Sequence, residues 1–370
     1  MSHAWIDGRP VPLHAATAEA ATLLAASRVP VVAGMGADIA GARAAIALAE
    51  RIGAAVDHMN SDVVLRDVEV MRTGGMMLTT PNEARLRADL LLLIGAGLVD
   101  AWPELPDRLL LRPPVAQTDA KATRRIIWLC PDGDPTRLSG PAKVQVVGRS
   151  RRDLPVLLAA LRARIAGRPV GKTALSAKAL DALAADLRAA RFGVAVWSAA
   201  ELDTLPIEML SGLVADLNAT TRFSGLALAA PDNAPGVLQA CGWMTGFPMR
   251  TSFGRGFPEH DAWRFDAARL VESGEADCVL WISAYRAVAP AWERQVPLIA
   301  LTGQGARFRQ PPRVQIDVGR PGADHDAVEH DPATGTLVPV AAKSPSEAIS
   351  VAALLAQIAA ALPSAGAWPC

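Results

Sequence analysis

Cysteine is scarce in this chain. Four occur in 370 residues, at Cys130, Cys241, Cys278 and Cys370. No two lie at CxxC spacing, and none precedes Cys130, so the usual local ligand set of an iron–sulfur cluster is missing. Few, scattered cysteines without an export signal fit a reducing cytoplasm. Charge of either sign is not in excess: Lys+Arg and Asp+Glu both number 37. A neutral chain lacks the electrostatic footprint of a nucleic-acid binder and the polybasic signal of a membrane-surface protein. Long apolar runs are missing too. Leu90–Ile94 is a buried-strand run, far short of the ~20 residues that span a bilayer, and Met1–Pro12 has no signal-peptide core. There is no HExxH, no GxSxG, no internal repeat and no low-complexity segment.

What is present is an alternation of helix-period and strand-like segments. Length suggests about two domains, and an apolar content of 51% suffices for one or two substantial cores. His14–Ser27 has a helical apolar face, Val29–Ala33 is a β-branched run ending at Gly34, and Ala40–Ile52 is amphipathic and stopped by Gly53. Further strands are expected at Ala54–Asp57, Asp89–Ile94, Arg125–Leu129, Gly193–Trp197, Leu226–Ala229, Asp277–Ile282, Val296–Leu301 and Val314–Val318. Further helices are expected at Pro81–Arg87, Asp153–Ala166, Ala174–Ala190, Pro206–Leu217 and Asp261–Glu272. A last helix, Ala348–Ala361, follows Ser344, Pro345 and Glu347, read as N-cap, first position and capping box. The pattern predicts an α/β fold with parallel sheets. Met71–Asn82 and Trp243–His260 read as ordered loops of the kind that bind something.

Several local motifs compete with plainer readings. Gly34-Met-Gly36-Ala-Asp38-Ile-Ala-Gly41 stands where a phosphate cradle would, but its spacing is GxGxxxxG rather than GxGxxG, and a tight turn explains it as well. Gly171-Lys172-Thr173 resembles the end of a phosphate loop, yet Gly167 is one residue too close and a helix precedes it. His325-Asp326-Ala-Val-Glu329-His330-Asp331, with Asp324, concentrates metal-ligand types on what reads as a surface turn. His58 follows a strand end without a local partner. The cysteines read as small hydrophobes, and Trp197, Trp243, Trp263 and Trp281 as core or contact residues.

Four segments together resemble the B subunit of formylmethanofuran dehydrogenase, a branch of the molybdopterin oxidoreductase family. They run from Pro30 to Asp57, from Thr80 to Gly95, from Gly242 to Pro258 and from Glu272 to Ile282. Their order and spacing cover about residues 28–340. The resemblance implies two α/β lobes of mostly parallel, doubly wound sheets, like the central domains of molybdopterin oxidoreductases. One lobe would take residues 1–61 and 229–340, the other 62–228, with 341–370 as a C-terminal helix and tail. Redox members ligate molybdenum or tungsten with a cysteine or selenocysteine just after the second strand. The matching stretch here is Asp57-His58-Met59-Asn60-Ser61-Asp62-Val63. No side chain in it replaces a soft thiolate.

The chain therefore looks most like the non-redox B subunit found in bacterial formyltransferase/hydrolase complexes. Such complexes move a formyl group from formyl-tetrahydromethanopterin to a methanofuran-type carrier and hydrolyse it to formate. The resemblance implies a cytoplasmic, non-catalytic scaffold with amidohydrolase-like A, C and formyltransferase D subunits as partners, and with no metal or pterin of its own. A vestigial cofactor cleft or carrier site would involve Gly34, Gly36, Asp38, Ser61, Gly95, Gly97, Thr245, Arg250 and Arg255. The loops Gly34–Gly41, Gly95–Asp100 and Trp243–Gly256 would face it. Arg250 and Arg255 would meet the carboxylates of an oligoglutamyl carrier tail or serve intrachain salt bridges. Two other classes stay open: an oxidoreductase that takes its ligands from a partner or uses another cofactor, and a nucleotide-binding enzyme using Gly34–Gly41.

Overall fold

The computed structural model describes residues 3–110, 124–132, 144–173 and 175–363. The chain divides into two compact units, each α/β. The first comprises Met1–Asp62, Pro231–His330 and Leu337–Cys370; the second comprises Val63–Ala230 and Asp331–Thr336.

The first unit begins with the short strands β1 (Ala4–Ile6) and β2 (Arg9–Pro10), helix α1 (Leu13–Ala26), strand β3 (Pro30–Gly36), helix α2 (Ile39–Ile52) and strand β4 (Ala55–Val56). Every residue of β3 is buried, as expected of a strand covered on both faces. Helix α2 starts where the Asp38 side chain accepts from Gly41 N at 2.9 Å, and it stops at Gly53, whose φ of 68° suits a residue without Cβ.

The second unit opens with helices α3 (Ser61–Gly74, within this unit from Val63) and α4 (Pro81–Arg87), strand β5 (Leu90–Ile94), helix α5 (Leu98–Ala101) and strands β6 (Arg125–Leu129) and β7 (Val144–Val147). It continues with helices α6 (Leu154–Ile165) and α7 (Ala177–Arg188), strand β8 (Phe192–Trp197), helix α8 (Thr204–Leu217) and strand β9 (Arg222–Ala227). Its sheet is wholly parallel, in the order β7-β6-β5-β8-β9. The Leu-Leu-Leu-Leu-Ile run of β5 lies at its centre. Leu90, Leu92 and Ile94 feed one hydrophobic core, and Leu91 and Leu93 feed another. Alternation on a strand sends successive side chains to opposite faces, so a continuous apolar run requires layers on both.

The chain then re-enters the first unit with helix α9 (Ala234–Thr245), strands β10 (Thr251–Ser252) and β11 (Glu259–His260), helix α10 (Ala267–Glu272), and strands β12 (Cys278–Ser283), β13 (Leu298–Thr302) and β14 (Val314–Asp317). The hairpin β15 (Ala327–Asp331) and β16 (Thr336–Val340) and helix α11 (Val351–Ala361) follow. The nine-stranded sheet runs β11-β10-β4-β3-β12-β13-β14-β1-β2. Its middle, β4 to β14, is parallel, and both edges are antiparallel.

Several local expectations need correction. Helix α11 is capped by Ser350, whose side chain accepts from Ala353 N at 3.2 Å, and not by Ser344. Ser344 N and Ser346 N instead donate to the carbonyls of Ala323 and Asp324, and the Ser346 hydroxyl donates to Asp324. Ser344 is thus held in a tertiary turn rather than at a helix start. The helix expected from Asp261 starts at Ala267, because the Asp261 carboxylate closes a turn with Trp263 N and Arg264 N while Asp266 caps the helix. Strand β9 begins four residues before the strand expected at Leu226–Ala229 and ends two before it, with Phe192–Trp197 pairing it in register from Arg222. The supposed loops at Met71 and Trp243 begin inside α3 and α9. No helix among the described residues is long and apolar enough to cross a membrane.

Candidate functional site

Ligands of open parallel sheets bind beyond the carboxyl ends of the strands. In the first unit those ends carry Gly36, Asp57, Ser283, Thr302 and Asp317. Backbone bonds stitch them together: Met59 N donates to Gly34 O at 2.9 Å and Ala284 N to Gly36 O at 2.8 Å.

The glycines serve this backbone. Gly34 has a φ of 78°, and a Cβ there would lie 2.6 Å from Ile282 O on the neighbouring strand. A Cβ on Gly36 would lie 3.1 Å from the terminal methyl of Met59. Gly41 is inside α2, packed against Ala37 and Val351. Asp38, 5% exposed, places its carboxylate on the amide of Gly41. That carboxylate occupies and electrostatically opposes the position a phosphate would take at a helix N-terminus. The glycine motif is a tight turn.

Two polar clusters follow. His58 is buried, with Nδ1 accepting from Asn60 N at 2.9 Å and Nε2 3.1 Å from Asp232 O. The first bond makes Nδ1 an acceptor, so Nε2 carries the proton and donates to Asp232 O. Burial pulls the His58 pKa down to about 4, so the ring is neutral at physiological pH. The Asp232 carboxylate forms a fork with Arg286, in which Nε to Oδ1 is 2.7 Å and Nη2 meets Oδ2, and it also accepts from Asn60 Nδ2 at 3.2 Å. Ser61 accepts from His58 N at 3.0 Å.

The second cluster centres on Arg250, 9% exposed. Its Nη2 lies 2.6 Å from Asp62 and pairs with Asp266, and its Nε is 3.5 Å from Asp57 Oδ1. The other oxygen of Asp57 accepts from Ala267 N at 2.9 Å, at the start of α10. Burial raises the Asp57 pKa to about 6 against the opposing pull of Arg250. Arg255, by contrast, is exposed, 2.9 Å from Glu259 and stacked over Phe257. Thr245 is spent on the α9 terminus, donating to Cys241 O at 2.7 Å and accepting from Phe247 N at 3.0 Å.

The first unit thus contains Gly34, Gly36, Asp38, Ser61, Thr245, Arg250 and Arg255. Gly36, Ser61 and Arg250 lie around the Asp57–Asp62 segment, whereas Arg255 and Thr245 belong to the α9–β11 region. Gly95 and Gly97 belong to the second unit. Both have positive φ, and a Cβ on them would meet Leu202 and Glu201 respectively. Sequence reasoning missed Asp232, Asp266 and Arg286 as partners. Asp232 stands 172 residues from Asn60, and no local spacing signals such pairs.

The donor set does not suit a soft heavy metal. Between Asp57 and Asp62 it offers carboxylates, a committed imidazole, a hydroxyl and the thioether of Met59. Cys278 begins β12, opposite Pro30, at the far end of the sheet from Ser283 by ~16 Å of strand rise. Cys241 packs in α9 against Pro248 O at 3.4 Å. Cys130 lies in the second unit, and Cys370 is outside the described residues. No group of three or more His, Cys, Asp or Glu able to hold a metal occurs among the described residues. The His325–Asp331 segment, expected as a surface turn, supplies all of β15, and its carboxylates have partners of their own: Asp331 accepts from Thr334, Asp326 from Ala342 N, and Glu329 from Tyr285 at 2.7 Å.

Comparison with known proteins gives a coherent picture. No protein-family model matches the chain. It is 36% identical over 361 residues to the B subunit of the formyltransferase/hydrolase complex Fhc of Methylorubrum extorquens, covering 96% of each chain. It is 25% identical over 287 residues to the B subunit of the tungsten-containing formylmethanofuran dehydrogenase 2 of Methanocaldococcus jannaschii, covering 75% of this chain and 65% of that protein. The crystal structure of the formyltransferase/hydrolase complex FhcABCD from M. extorquens, in complex with methylofuran, contains a chain that superposes with a TM-score of 0.86 at 36% identity, covering 96% of this chain and 97% of that one.

Proposed function

The chain belongs to the B-subunit family of the formyltransferase/hydrolase complex, and from that membership we propose that it is the non-catalytic scaffold of such a complex, with A, C and D subunits as partners. The assembly moves a formyl group from formyl-tetrahydromethanopterin to a methanofuran-type carrier and hydrolyses it to formate in the cytoplasm. The observation that carries the reading is a match to the Fhc B subunit along 96% of both chains, joined to a strand-end segment that has no thiolate for a redox metal.

This chain binds no molybdenum, tungsten or pterin of its own. Supporting this, His58 has both ring nitrogens committed, and the described cysteines of the first unit are buried thiols whose pKa is pushed up, to about 12 for Cys278. Asp57, the one carboxyl here held near pH 6, is covered by Arg250 and Ala267. Asp62, the exposed carboxylate of the segment, pairs with Arg250. Contact with an acidic carrier tail is supported at exposed Arg255 rather than at Arg250, whose guanidinium meets three carboxylates of its own chain.

The test is native purification through a tag on this chain, followed by metal analysis and a dye-reduction assay with a formylated furan carrier. A, C and D partners should co-elute, without stoichiometric molybdenum or tungsten and without dye reduction. Stoichiometric heavy metal with carrier-dependent dye reduction would overturn the reading.

A further inference from the structure

A groove of about 580 Å³ opens in the first unit, away from the strand ends described above. It is built by the segments that lead into β13 and β14, from Ala289 to Leu298 and from Arg307 to Arg313, with Asp7 of the β1–β2 turn at its edge. These are the amino ends of the two strands. Thr302 and Asp317, at their carboxyl ends, lie ~10–13 Å away along the strands. The groove is therefore separate from the place where a parallel sheet ordinarily holds its ligand.

Its volume falls within the range of small-molecule sites. Its walls combine stiff aromatic and proline side chains with charged and amide ones. Trp292 is half-buried and braced edge-on against Trp281 at 5.4 Å, and Phe308, also half-buried, belongs to the same lining. Pro290, Pro297, Pro311 and Pro312 fix φ along both segments, which lowers the ordering cost of binding.

Four arginines line the same groove, and their partners divide them. Arg309 pairs with Glu293 at 3.2 Å, and Arg313 pairs with Asp7 and with Glu19. Arg294 and Arg307 have no carboxylate partner among the described residues. Arg294 is held in place: its Cζ lies 2.5 Å from where a Cβ on Gly274 would stand, so the guanidinium rests against a glycine backbone. Two unpaired, fork-shaped donors beside aromatic and proline walls suit an anion with two charges and a flat body.

We propose that this groove binds a small organic dianion with a planar ring, its phosphate or paired carboxylates held by Arg294 and Arg307 and its ring against Trp292 and Phe308. The proposal does not depend on the scaffold reading, because it uses neither the strand-end segment nor any neighbouring chain of the complex.

The test is isothermal titration of the full chain, as purified with its accompanying subunits, at low salt. Three probes are used: AMP, phthalate and inorganic phosphate. At least one of AMP and phthalate binds below ~1 mM, and which of them does separates a phosphate ligand from a dicarboxylate. Arg294→Ala and Arg307→Ala each weaken that binding by about tenfold or more, as loss of a charge-assisted bond demands. Arg43→Ala, an equal charge loss on α2, leaves it unchanged. Inorganic phosphate binds more weakly than the ring-bearing probe that carries the binding. The proposal is overturned if neither AMP nor phthalate binds, if both groove variants bind like the parent, or if inorganic phosphate binds as tightly as that probe.

Discussion

The Nε2–H of His58 donates to the backbone carbonyl of Asp232 across 174 residues of sequence. This bond, with Asn60 N on Nδ1, makes the imidazole a neutral brace between the end of β4 and the start of α9.

That neutrality has a signed pH dependence. The His58 pKa falls from 6.5 to about 4 on burial, so its contribution to stability is complete above pH 6.5 and is lost as pH falls toward 4. Asp57 moves the other way, from 3.8 to about 6. Its contribution is complete below pH 3.8 and is lost as pH rises through 6. The two slopes oppose each other between pH 4 and 6. His58→Gln should therefore gain stability on acidification from pH 6 to 4 relative to the parent, and Asp57→Asn should lose it more steeply. Urea midpoints at three pH values in that window measure both. Parallel pH profiles for the two variants would contradict the assignment.

Arg250 serves three carboxylates, one of them buried. Removing it strands Asp57 and leaves Asp266 beside it. Arg250→Ala should cost ~3–5 kcal/mol, the usual penalty for breaking a buried pair. Arg255→Ala, at an exposed pair, should cost less than ~1 kcal/mol. Equal urea midpoints for the two variants would refute the difference in burial roles.

Gly34→Ala meets a backbone carbonyl and a positive φ together, and should destabilise by more than ~1 kcal/mol. Gly36→Ala meets the flexible end of Met59 at 3.1 Å and otherwise only ordinary contacts, and should be much milder. If Gly34 instead made room for a ligand, its replacement would leave the melting temperature unchanged.

Leu92→Ala at the centre of the second unit's sheet should cost ~2–5 kcal/mol. Chemical denaturation followed by tryptophan fluorescence gives the number, and a shift below ~1 kcal/mol would argue against a two-sided core at β5.

The thiols of Cys130, Cys241 and Cys278 are buried, and their pKa values are raised by desolvation. At pH 8 a disulfide reagent should leave all three unmodified in the folded chain, as read by peptide mapping, and label them in urea. Rapid labelling of Cys278 in the native chain would show that β12 is not the inner strand described.

Where the physics is local, the amino-acid order was enough. The Pro81–Arg87 helix shows its Thr80 cap, its first-position proline and Glu83 within a few residues. The Leu90–Ile94 run declares a two-sided strand, and Gly53 ends α2 where its apolar spacing ends. The same local marks misled at Ser344, because Ala323 claims its N–H and Asp324 claims Ser346 through space. Helix α3 is poorly marked in the sequence because four of its fourteen residues are valines, whose β-branching disfavours a helix, and β7 is short and half-exposed.

By itself the sequence determined the family, through segment order and spacing, and the absence of a thiolate after the second strand, because residue identity alone decides what can ligate a soft metal. Only the tertiary structure decided what replaces that chemistry. Asp57, Asp62 and Asp266 converge on Arg250, and His58 and Asn60 on Asp232 with Arg286. Those partners are set by which strand ends the sheet brings side by side, and a buried charge is tolerated only where such a partner reaches it.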